Sequence, residues 1–270
     1  MSSFEGKLSA SVASDNSQSV RAGVCGFCLP QSELFRRFRL LEVQQTFYWP
    51  PRLKTVDRWR RTAPEDFEFT VKAFQAITHP STSPTYRRTK FSTDERAQCG
   101  GFCDTEVVRD AWQLTLTLAD ALKATVVVFQ CPPKFDASDQ NIGRLRRFFQ
   151  WADRHRLRFA WEPRHATWTR DLVRALCQEL DLIHVVDPLE QDDVYGSPRY
   201  LRLHGKALGG FRYDYGRVYS DEELAEIYAR CQPGPTYCLF NNMQMATDTD
   251  RFLSLTKSMS GDRDRAPKPR

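Results

Sequence analysis

Short β-branched or aromatic runs alternate along the chain with stretches whose apolar residues recur at helical spacing. Eight runs, at 22–25, 41–44, 68–72, 126–130, 158–161, 182–186, 200–203 and 237–240, are of strand length and are bounded by turn residues or proline. Between them the 3.6-residue period predicts helices over 32–38, 55–61, 106–123, 139–156, 170–180, 221–230 and 248–257. Ser220, Thr105, Ser138 and Thr247 stand where side-chain oxygens can accept from the free N–H groups of a first turn, with acidic residues following. Only 187–199 lacks a helical pattern, so that connection is expected to be an irregular loop. Strand and helix in strict alternation predict an α/β chain folded as a single (β/α)8 TIM barrel.

The polar positions carry the functional signal. The eight runs end at Cys25-Gly26, Gln44-Gln45-Thr46, Lys72, Gln130, Glu162, Asp187, His204-Gly205 and Asn241-Asn242. In a barrel the C-terminal strand ends converge on one mouth, so eight apolar runs that each stop at a hydrogen-bonding group describe a ring of chemistry over a packed core.

Composition narrows the class. At 270 residues, with 41% hydrophobic and 27% charged residues, the chain has an ordinary globular balance and enough length to bury a core. Serine-rich 1–20 and proline-punctuated 260–270 read as disordered tails, leaving 21–259 as the barrel domain. No apolar run approaches the roughly 20 residues of a membrane span, and the start lacks a signal peptide's order, so a cytoplasmic protein without membrane contact is expected. Net charge is +5, too mild to indicate nucleic acid by itself. Thirty arginines against nine lysines do favour bidentate contact with phosphate or carboxylate, although a compositional bias gives the same count. Eight cysteines in such a compartment read as thiols or metal ligands.

The motifs Gly23-Val24-Cys25-Gly26-Phe27, Glu42-Val43-Gln44-Gln45-Thr46-Phe47-Tyr48, Phe69-Thr70-Val71-Lys72-Ala73 with Ile77-Thr78-His79-Pro80, Phe129-Gln130-Cys131-Pro132-Pro133-Lys134-Phe135, Trp161-Glu162-Pro163-Arg164, Tyr200-Leu201-Arg202-Leu203-His204-Gly205 and Leu239-Phe240-Asn241-Asn242 together resemble the domain-of-unknown-function 72 family, also called YecE-like. The resemblance runs from about residue 22 to residue 256 in the family's order. It implies a TIM barrel and supplies no reaction. Cys28, Cys99 and Cys103 stand outside the family's pattern, and His165 falls where the motif varies.

Residue chemistry then sets the candidates. Glu162 follows Trp161 and precedes Pro163, so desolvation should raise its pKa and suit it to general acid–base work; the competing reading is a salt bridge to Arg164 or Arg202. Lys72 can bind an anion, form a Schiff base or close an ion pair. His204 completes the catalytic set. Gln44, Thr46, Tyr48, His79, Gln130, Arg164, Asp187, Arg202, Asn241 and Asn242 are the candidate substrate contacts. His79 and His204 with Glu162 and Asp187, or Cys25 and Cys28 with Cys99 and Cys103, could hold a metal, but no local metal signature is present and no motif names a cofactor. Residues 80–104 form a long insertion after the third strand, and Tyr86-Arg87-Arg88-Thr89-Lys90-Phe91 reads as a mobile lid with exposed aromatics. Two functions fit. One is an enzyme, a hydrolase or lyase, acting on a small anionic or phosphate-containing substrate. The other is a nucleic-acid-binding or phosphodiester-processing protein that uses the same mouth and a basic lid.

Overall fold

A computed structural model describes residues 20–209, 213–231 and 234–263. The expected tails lie outside these residues up to position 19 and from 264 onward, whereas residue 20 opens the first strand and 260–263 belong to the last helix, not to a disordered tail. Eight parallel strands close a barrel: β1 (Val20–Cys25), β2 (Leu40–Val43), β3 (Glu68–Lys72), β4 (Val126–Gln130), β5 (Arg158–Glu162), β6 (Leu182–Val186), β7 (Arg199–Leu203) and β10 (Thr236–Phe240). Each pairs with its sequence neighbour, and β10 pairs with β1 to complete the ring. All eight lie within two residues of the positions the sequence pattern predicts. Two further strands, β8 (Lys206–Ala207) and β9 (Tyr213–Asp214), form an antiparallel ribbon above the barrel, which periodicity did not predict because each is only two residues long.

The helices follow the same logic. α1 (Gln31–Arg37), α3 (Leu53–Thr62), α6 (Glu106–Leu122), α7 (Asp139–Trp151), α8 (Arg170–Leu180), α9 (Asp221–Arg230) and α10 (Met245–Arg263) fall on the predicted set, although α7 ends at 151 and not at 156 and α10 spans 245–263 and not 248–257, and the β6–β7 connection is irregular as expected. Thr105 and Ser220 cap as predicted, accepting from Val108 N and Glu223 N. Ser138 makes no side-chain cap, and Thr247 lies inside α10, whose start is at Met245. Three short helices are additional: α2 (Gln45–Tyr48), α4 (Gln75–Thr78) and α5 (Thr93–Ala97).

Period-two alternation places the site. Outward residues pack against the helices, where Phe102, Trp112, Phe129, Phe148, Phe149 and Phe159 form one aromatic cluster; burying each such ring stabilises by roughly 1.5–3 kcal/mol. Inward residues Leu40, Val126, Val128, Ala160, Ile183, Val185 and Leu239 fill the barrel. The next inward positions toward the C-terminal end are Glu42, Lys72, Gln130, Glu162 and Arg202, so the same parity that fills the core aims these polar side chains at one mouth. Among the described residues no helix is long and apolar enough to cross a membrane.

Candidate active site at the C-terminal mouth of the barrel

A buried ion network forms the floor. Arg202, fully buried, donates from Nη2 to Glu42 Oε1 at 2.9 Å and from Nη1 to Glu162 Oε2 and to Gln130 Oε1, the latter at 3.1 Å. Arg164 donates from Nε to Glu162 Oε1 at 2.6 Å and from Nη2 to His204 Nε2 at 2.8 Å. On the other side Tyr200 donates to Glu42 Oε2 at 2.8 Å and lies 2.7 Å from Thr70 Oγ1.

This geometry corrects the expected acid–base role of Glu162. Burial alone would raise its pKa, but the guanidinium groups of Arg164 and Arg202 outweigh burial and hold the carboxyl well below the usual range. Glu162 is therefore an ionised partner at neutral pH, and the expected raised pKa is not found. The sequence placed a cation on each side without revealing that both reach the same carboxylate.

His204 accepts from Arg164 at Nε2, which puts its proton on Nδ1. That atom lies 3.7 Å from Asp187 Oδ2, beyond hydrogen-bond reach, and has no hydrogen-bond partner among the described residues. Burial keeps the imidazole neutral against the pull of Asp187. Tyr213 of the ribbon stacks on His204 with ring centroids 4.7 Å apart and lies 5.6 Å from the Arg164 guanidinium. The ribbon can approach because Gly205 adopts φ +97°, where an added Cβ would meet Asp214 O at 2.3 Å.

Lys72 differs from its neighbours. It is 4% exposed, its Nζ lies 3.9 Å from the Phe47 ring centroid, and among the described residues its amine has no hydrogen-bond or ion-pair partner. Burial, reinforced by Arg202 and Arg164 and opposed by Glu42 and Glu162, lowers its pKa to about 7. His79 packs on the same Phe47 ring at 4.9 Å, and burial with Lys72 nearby lowers its pKa to about 3. Tyr48, half exposed, stands on the rim.

The remaining candidates divide by what already occupies their polar atoms. Gln44 donates to Glu42, and Asn241 is half-buried at its strand end with no side-chain partner among the described residues. Thr46 Oγ1 lies 2.8 Å from Val43 O and 2.7 Å from Lys72 O, tying β2 to β3. Asn242 donates to Arg217 O and Asp248, and Asp187 accepts from Leu189 N and His204 N. Thr46 and Asp187 brace the frame, and Asn242 does so through Nδ2 while its buried Oδ1 has no hydrogen-bond partner among the described residues.

Neither proposed metal set is assembled. Among the described residues no three His, Cys, Asp or Glu side chains converge as ligands; Cys28 is exposed, and Cys99, just past the end of α5, donates from Sγ to Glu95 O. The insertion is also unlike the expected lid. Tyr86 is buried and donates to His79 O at 2.9 Å, Phe91 packs on Phe74, and Gly100 and Phe102 donate to the carbonyls of Ala76 and Ile77. Its aromatics serve the fold. Sequence reasoning passed over Glu42, Tyr200 and Tyr213, although Glu42 stands in a quoted motif and Tyr213 in a glycine- and tyrosine-rich stretch.

The family model described as "Protein of unknown function DUF72" matches residues 32–270. UPF0759 protein YunF of Bacillus subtilis (strain 168) is 29% identical over 110 residues, which span 40% of this chain and only 34% of that protein. A DUF72 family protein from Enterococcus faecalis V583 superposes with TM-score 0.66 at 19% identity, covering 90% of this chain and 99% of that one. Another from Thermotoga maritima MSB8 gives 0.61 at 21% identity over 88% and 99%. At these identities the structural likeness concerns the fold.

Proposed function

This chain belongs to the family of proteins of unknown function DUF72, and from that premise we propose that it is an enzyme binding a small anionic or phosphate-containing substrate at the C-terminal mouth of its barrel. Arg164 holds the anionic group and Lys72 moves the proton. The observation that carries this reading is the isolation of Lys72. Glu42 and Glu162 are already matched by Arg202 and Arg164, which leaves one desolvated amine with no counter-charge of its own. Inorganic phosphate, which has no carbonyl carbon to engage the nitrogen, supplies that charge and draws a proton onto the amine, because a nearby negative group favours the ammonium.

Calorimetry with inorganic phosphate tests this. The native protein should bind and take up protons at pH 8, seen as a binding heat that depends on the ionisation enthalpy of the buffer, and Lys72→Met should weaken binding about tenfold, the loss of one charge-assisted contact. Equal affinity in Lys72→Met overturns the reading. The nucleic-acid alternative uses the same mouth and a basic lid; the burial of Tyr86 takes away one of its exposed aromatics, while Arg87 and Lys90 stay exposed. It would also require steep loss of affinity with salt, whereas a single-anion pocket loses little.

A further inference from the structure

We propose that Lys72 is a covalent-catalysis lysine whose amine condenses with the carbonyl carbon of a small aldehyde or ketone bearing a carboxylate or phosphate. The anionic half of that ligand rests on the reading above; the carbonyl half rests on the state of the amine. A lysine that serves an ion pair sits on a carboxylate, yet here both neighbouring carboxylates are taken by guanidinium groups. The Lys72 nitrogen faces a phenyl ring 3.9 Å away with its lone pair tied to no donor among the described residues. The groups facing it are Arg202, Arg164, Glu42 and Glu162, with His79 on the shared Phe47 ring. Their sum leaves the amine about half neutral near pH 7, as desolvation and adjacent cations do for nucleophilic lysines.

The step balances without an oxidant. The lone pair of nitrogen attacks the carbonyl carbon, the C=O π pair moves to oxygen, and a proton passes from nitrogen to that oxygen to give a carbinolamine. A second proton, from solvent, lets the C–O bond break with loss of water, leaving an iminium C=N. The iminium charge lies where the ammonium charge lay, over the face of Phe47, where a ring quadrupole stabilises a cation. Loss of the proton of an adjacent C–H bond to solvent moves that bond's electron pair into the C=N and gives a neutral enamine, which takes a proton back on carbon before water adds to the iminium and frees the amine, the balance of an isomerase. Arg164 supplies the anion contact, since its Nη1 has no protein partner among the described residues.

Reductive trapping on the intact native protein tests the proposal. Glyoxylate with cyanoborohydride at pH 7 should alkylate Lys72 roughly tenfold or more faster than the other lysines, read by peptide mass spectrometry, because an ordinary lysine is almost wholly protonated there. Propionaldehyde, which lacks the anionic group, should label Lys72 more slowly than glyoxylate. Label spread over the lysines in proportion to their exposure overturns the proposal, and equal rates for the two aldehydes overturn the anionic substrate class. Inorganic phosphate separates this proposal from the one it rests on. Selective labelling that phosphate does not slow sinks the anion-binding reading and leaves the nucleophile. Unselective labelling in a protein that still binds phosphate sinks the nucleophile alone.

Discussion

At the N-terminal end of the barrel Glu68 accepts from Thr125 Oγ1 at 2.6 Å and from Tyr237, and pairs at 2.5 Å with Arg21, whose side chain is half exposed. At the C-terminal end Glu42, Glu162, Arg164 and Arg202 are all buried, and among the described residues Arg202 Nε and His204 Nδ1 have no hydrogen-bond partner and Lys72 forms no ion pair. Both ends use charge. The lower end matches one carboxylate with donors, and its cation is solvated; the upper end spends desolvation on a network that leaves cationic groups uncommitted. Unmatched buried polarity persists only where the surrounding structure enforces it, and in a (β/α)8 barrel chemistry gathers at the upper face.

The sharpest way to break this contrast is to remove the central cation. Arg202→Met would leave Glu42 and Glu162 facing each other in a dry interior, and stripping one member from a buried set costs about 3–5 kcal/mol. Urea unfolding monitored by tryptophan fluorescence should show that loss. A change below about 1 kcal/mol would mean that the upper network is as dispensable as a surface pair.

What the sequence revealed depended on how far apart the cooperating residues lie. Lys72, Gln130 and Glu162 were legible because each is the last residue of a local apolar run and shares the inward parity of the core below it. Glu42 has the same parity, but it precedes Val43 and its burial makes sense only with Arg202, 160 positions away. The pKa of Glu162 was misjudged for a related reason. The sequence offers Arg164 and Arg202 as alternative partners, and local composition does not show that Arg164, two residues on, and Arg202, from another strand, hold the same carboxylate together. Thr46 looks like a site residue because it is polar at a strand end, yet its hydroxyl goes to the backbone of two strands, which short-range pattern does not distinguish. The four-residue helices α2 and α4 are too brief to show a period.

Lys72→Met probes the same end with the opposite sign. Its pKa of about 7 in the folded protein lies below the usual value near 10.4, so the unfolded chain binds the extra proton between those pH values. Stability of the native protein should therefore rise from pH 7 toward pH 10, and the cost of the buried ammonium is fully present below pH 7. Replacing it with an uncharged side chain of similar length should stabilise the protein by roughly 2 kcal/mol at pH 6, with the advantage shrinking as pH approaches 10. Paired denaturation curves at pH 6 and pH 9.5 measure this; a variant less stable than native at pH 6 would show that Lys72 is an ordinary structural lysine.

The smallest effect belongs to the lower end. Arg21→Ala removes one arm of the Arg21–Glu68 pair, but Thr125 and Tyr237 still donate to the carboxylate, and the lost guanidinium is half solvated to begin with. An exposed pair of this kind is worth about 0–1 kcal/mol and is screened by salt. The variant should unfold within about 1 kcal/mol of native at low ionic strength, and the gap should close in 1 M sodium chloride, where the Debye length falls to about 3 Å. The Arg202→Met penalty should be almost untouched by the same salt, because the ions cannot enter the site. If Arg21→Ala cost as much as Arg202→Met, or if salt erased both penalties alike, the two ends would be using charge in the same way, and the isolation of Lys72 would lose its claim to mark the reactive face.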